Sequence, residues 1–87
     1  MTSHPHRGWR SRWSVDLAAK EARHGPTGLV VRFVRRGEGW DGHGENLDEV
    51  FAVLKRTTPA EHLASTLARL LREAGDVFAE KNKNDQR

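Results

Sequence analysis

Cysteine is absent from this chain, so neither a disulfide nor a thiolate metal site can brace the fold. Long apolar runs are absent too. No stretch approaches the roughly 18 residues of a membrane span, and the start has no apolar core of the kind a signal peptide carries. A cytoplasmic location is therefore the expectation. Acidic residues are missing from positions 1–12, which carry Arg7, Arg10 and Arg12. Positions 13–87 balance twelve basic against twelve acidic side chains, so the formal charge of +3 resides in the N-terminal arm. Duplex-binding domains usually show a basic face on the folded body as well. Internal repeats and any motif that commits the chain to a reaction are also lacking.

What is present makes one small domain, since domains mostly hold roughly 100–150 residues. A fold of this size buries only about 60% of its unfolded surface, so a compact core, self-association or a partner has to stabilise it. Eleven arginines against four lysines, together with many alanines, fit a GC-rich bacterial source.

The run Gly28-Leu29-Val30-Val31-Arg32-Phe33-Val34-Arg35-Arg36 is dense in β-branched and aromatic residues and predicts a strand over about 28–36. Leu29, Val31 and Phe33 share one face, with Val30, Arg32 and Val34 on the other. Upstream, Trp13, Val15, Leu17 and Ala19 alternate with polar or small residues and predict a half-buried strand over about 13–20. Gly25-Pro26 marks the turn between them. Matching the apolar faces requires paired residue numbers with an even sum. A sum of 48 sets Leu17 opposite Val31, Val15 opposite Phe33 and Asp16 opposite Arg32; a sum of 50 gives a tighter turn.

Glycines at 37, 39, 42 and 44 predict a loop through Glu45. Beyond it Leu47, Val50, Phe51 and Leu54 fall at helical spacing, predicting a helix over about 47–56. Asn46 and Glu49 form a capping box, and Asp48, Glu49, Lys55 and Arg56 suit the two ends of the helix dipole. Val50 to Leu54 also reads as a third strand, and the end signals decide for the helix. Thr58-Pro59-Ala60-Glu61 is a second capping box. It opens a helix over about 59–81 whose stripe is Leu63, Leu67, Leu70, Leu71, Ala74 and Phe78. Gly75 weakens this helix and suggests close approach to a neighbour. Residues 82–87 lack an apolar side chain and should fray.

Four groups of residues are candidate sites. In the basic arm, Trp9 is suited to stack on an unpaired base while Arg7, Arg10 and Arg12 track phosphates. Removal of Met1 would leave histidine third, and the amine, two amides and His4 imidazole then form a square-planar nitrogen set for Cu(II) or Ni(II). Asp41, His43 and Glu45 are able to converge on a divalent ion or poise His43 as a base. No nucleophile or oxyanion feature accompanies them, so the reading leans away from an enzyme, without a cofactor or a resident metal. His24 and His62 read as surface residues. The fourth group is Val30, Arg32 and Val34 on the outer side of the second strand, with Trp40 folded back beside it. An isolated hairpin is marginal in water and has two unpaired edges, which a second copy would cover.

The pattern Trp13-Ser14-Val15-Asp16, followed by His24-Gly25-Pro26-Thr27-Gly28-Leu29-Val30-Val31-Arg32-Phe33, resembles small bacterial proteins of unknown function. The resemblance spans about a quarter of the chain and implies a bacterial cytoplasmic origin with no transferable activity. The expected architecture is a single α+β domain over 13–81: a β-hairpin packed on two C-terminal helices, preceded by a mobile basic arm over 1–12. The expected role is a non-catalytic interaction module that forms a homodimer, or binds an unidentified protein, through its hairpin. Nucleic-acid binding by the arm is the alternative.

Overall fold

Four short strands in a meander carry the fold, and the computed structural model describes residues 7–85. A helical turn, α1 (Arg7–Arg10), precedes β1 (Trp13–Asp16), β2 (Glu21–His24), β3 (Val30–Arg36) and β4 (Gly39–Gly44). The strands are antiparallel and lie in chain order. Helix α2 (Leu47–Thr57), a 3-10 turn (Ala60–His62) and helix α3 (Leu63–Asp85) complete an α+β domain only 18 Å through its thinnest dimension. No helix among the described residues is long and apolar enough to cross a membrane.

The two expected strands are therefore four, and β1 and β3 do not pair. The first strand stops at Asp16, whose carboxylate accepts the Ala19 N–H at 3.1 Å. Lys20, at φ 58°, closes that turn in the left-handed region. The chain then re-enters the sheet as β2, which sits between β1 and β3. Val15 consequently faces Ala22, and Val31 faces Ala22 from the other side. Arg32 is opposite Glu21 instead of Asp16. Glu21-Ala22-Arg23-His24 does alternate, but its inward residues are a small alanine and a histidine, so hydropathy did not register it as a strand.

The glycine-rich segment expected to be a loop is β4. Its inward positions are Trp40, Gly42 and Gly44, facing Arg35, Phe33 and Val31. Those glycines make room for neighbouring side chains: a Cβ on Gly42 would lie 2.9 Å from the Phe33 ring, and one on Gly44 would lie 2.5 Å from a Leu47 methyl. Glycine here marks close approach within a strand, the other reading that this residue carries in a sheet.

Both expected helices form, and the third-strand alternative for α2 does not. Asn46 is not a side-chain cap. Its amide bridges backbone instead, accepting the Val30 N–H at 3.0 Å and donating to the Gly28 carbonyl at 2.8 Å. The start of α2 is thereby tied to the start of β3. Thr58 ends α2, its N–H reaching the Leu54 carbonyl at 2.8 Å, and the expected second capping bond is not made.

Helix α3 runs past its expected end, so 82–85 continue the helix rather than fray. Nothing lies within 4 Å of a Cβ placed on Gly75, so that glycine serves no close approach. The core gathers Trp13, Ala22, Leu29, Val31 and Phe33 from the sheet, with Val50, Leu54, Leu70, Ala74, Val77 and Phe78 from the helices. The Phe33 and Phe78 rings stack at 4.2 Å, and Trp40 meets Phe78 edge-on at 5.2 Å. Leu63, Leu67 and Leu71 are only partly buried against this core.

Within the expected basic arm, Arg7–Arg10 form the helical turn α1. Trp9 in α1 packs partly buried against the core, and Arg10 forms a two-pronged ion pair with Glu80, at 2.9 Å for its shortest contact. Residues 1–6, with His4, lie outside the described residues, as do 86–87.

Candidate functional site

The same alternation that buries Val31 and Phe33 turns Val30, Arg32, Val34 and Arg36 to the open face of the sheet. Ser14 and Asp16 join them from β1, Glu21 and Arg23 from β2, and Asp41 and His43 from β4. Glu21 is the pivot of this face. Its side chain is only 9% exposed, lying under Arg32 at 2.7 Å and Arg23 at 3.3 Å. Arg32 also reaches Glu45 at 3.7 Å, and Arg36 pairs with Asp41. The Asp41 contact raises the Arg36 pKa above its ordinary value through a side-chain hydrogen bond.

The same pairings reach the expected cluster of Asp41, His43 and Glu45. Asp41, His43 and Glu45 follow one another on one side of the chain, about 7 Å apart, and two of the three are engaged by arginines. Among the described residues no three His, Asp or Glu side chains are close enough to share a metal ion. Val34 is 51% exposed, Val30 is half-buried, and Arg32 lies between them. Trp40 is on the opposite face, against Phe78 and under the Arg35 guanidinium. The expected grouping of Val30, Arg32, Val34 and Trp40 is therefore divided by the sheet.

Arg10 stands 4.4 Å over the Trp9 ring and holds Glu80, whose carboxyl it keeps below the usual carboxylate range. Both residues are thus engaged within the fold. Arg12 is exposed and lines a shallow groove of about 440 Å³ together with Arg23, Trp13 and His24. Comparison with protein families, curated proteins and solved structures finds no match for this chain.

Three features escaped the sequence reading. His24 is buried, not superficial: its ring tilts against Trp13 at 4.7 Å, and Nδ1 meets the Thr27 hydroxyl at 2.8 Å. Burial pushes its pKa down, Glu73 opposes that shift, and Arg12 and Arg69 add to it. Trp13 donates its indole N–H to Glu73 at 3.0 Å, which satisfies the one polar atom of a buried ring. The third feature is on α2. Val50 and Leu54 are buried, but Leu47 and Phe51 from the same apolar stripe remain 36% and 39% exposed. The exposure of Phe51 had no signal in the sequence, because all four apolar residues fit one helical face.

Proposed function

We propose that this chain is a non-catalytic protein–protein interaction module that self-associates. The observation that supports this reading is the set of large apolar side chains that folding leaves uncovered: Val34 on the sheet, and Leu47 and Phe51 on α2. Single exposed apolar residues are ordinary, but two successive turns of one helix showing a leucine and a phenylalanine form a continuous strip that a contact would remove from water. The expected contact on the hairpin corresponds to the open side of β3, at Val30, Arg32 and Val34. The bacterial cytoplasm is the compartment that the resemblance of residues 13–33 implies.

Sedimentation equilibrium from about 1 to about 500 µM tests the reading, since mass action favours dimers as concentration rises. A monomer at every concentration would overturn it. Val34→Asp addresses the sheet face alone and should leave the fold intact, because that side chain is half exposed.

Nucleic-acid binding is supported by one arrangement, Arg12 and Arg23 along the same groove. Affinity for single-stranded RNA that falls steeply with salt, and falls further in Arg12→Ala, would carry this second reading.

A further inference from the structure

We propose that two copies of this chain associate through the outward side of α2, packed antiparallel about a two-fold axis between Phe51 and Ala52. The proposal rests on the self-association reading and moves its surface from the sheet to the helix.

Asp48, Phe51, Ala52 and Lys55 follow the spacing i, i+3, i+4, i+7, so they form one face of α2, and all four are exposed. Leu47 runs beside that face and rests on Gly44 of β4. An antiparallel partner places Asp48 opposite Lys55 of the second copy, and Lys55 opposite its Asp48. The same register puts each Phe51 ring over the small Ala52 of the other helix, which permits the 8–10 Å axis separation of ordinary helix pairs. Glu49 and Arg56 repeat the polarity further round the helix. The face is self-complementary in charge and in size, as a two-fold contact requires. Among the described residues neither Asp48 nor Lys55 has an ion-pair partner within the chain. A second copy supplies one to each.

A parallel pair would set Asp48 against Asp48 and Lys55 against Lys55, so the charges select the antiparallel arrangement. An 11-residue helix on its twin covers less than the roughly 1,200 Å² of a standard interface, which places the dimer at the weak, concentration-dependent end.

Charge reversal tests the register. Asp48→Lys sets lysine against lysine twice per dimer, and Lys55→Asp sets acid against acid twice. Each variant alone should dimerise on the order of tenfold more weakly than the parent. Mixed in equal amounts they should associate again. The introduced lysine of one variant then faces the introduced aspartate of the other, and the native Lys55 of the first faces the native Asp48 of the second. Sedimentation of the three samples and the parent reads this directly, with circular dichroism confirming that each variant folds. Phe51→Ser should also dissociate the dimer. A parent dimer that none of these variants weakens overturns the proposal and leaves self-association standing; its loss in Val34→Asp would then assign the contact to the sheet. Weak single variants that stay apart on mixing overturn the antiparallel register. A parent that is monomeric throughout overturns both readings.

Discussion

The two faces of the sheet are built by one alternation and end in opposite conditions. On the helix side Val31 and Phe33 are buried, and Phe33 stacks directly on Phe78 of α3. On the open side Arg32 and Val34 come from the same strand, yet charge pairing around Glu21 replaces packing. The packed face depends on volume: each side chain there fills space that a neighbour vacates, as Gly42 does for Phe33. The open face depends on pairing between partly solvated charges, where substitutions are cheap. Stability should therefore be concentrated on one side of the molecule, with tolerance on the other.

The hardest strain on this comparison is Phe78→Ala, which removes the ring shared by Phe33 and Trp40. It should cost about 3–5 kcal/mol in urea unfolding, enough to leave a domain this small largely unfolded. Gly42→Ala adds a single methyl group against the Phe33 ring and Val31. It should cost about 1–3 kcal/mol by overpacking; a neutral result would show that β4 is loosely held. Glu21→Ala is the matched probe of the open face. Its arginine partners are half or more exposed, so the loss should be only about 1 kcal/mol and should shrink at high salt. A loss equal to that of Phe78→Ala would erase the distinction between the faces.

The smallest effect lies at the boundary, where His24 meets Trp13 and Thr27. Its folded-state pKa is lowered by burial, so the neutral ring stabilises the fold above the unfolded value of about 6.5. That contribution is lost as pH falls through the lower, folded-state value, because the unfolded chain then binds the proton more readily. Thermal melting should show a drop on acidification below about pH 6.5 that is absent from His24→Asn. Glu73, Arg12 and Arg69 face the ring electrostatically, and Glu73 should keep the step small.

Much of the architecture was legible in periodicity. β3 and α3 follow from spacing alone, since Leu29, Val31 and Phe33 leave one way to face a core, and Leu70, Ala74 and Phe78 another. α2 needed its charged ends as well, because Val50 to Leu54 also fits a strand. β2 and β4 were not legible for a shared reason. Their inward positions hold Ala22, His24, Gly42 and Gly44, residues whose small size or polarity hides the alternation. Each is small or polar because of what stands beside it in space: Val15 and Val31 flank Ala22, and Phe33 covers Gly42. The register failed with them, because Asp16 and Glu21 are equally able to meet Arg32 and only the turn at Leu17–Lys20 chooses between them.

The candidate surfaces divide in the same way. Val34 was legible as an outward residue of a strand, since a two-residue period admits no other position once Phe33 faces inward. Trp40 was not, because its side of the sheet depends on β4 being a strand at all. For α2 the amino-acid order determines a helix with an apolar stripe, an acidic start and a basic end. Which half of that stripe meets the core is a matter of how the helix sits on the sheet. Asn46 ties its start to β3, Leu47 settles on Gly44, and Val50 and Leu54 fill the space beneath. Phe51 is left to water by that placement, a result of three-dimensional packing that no local pattern encodes.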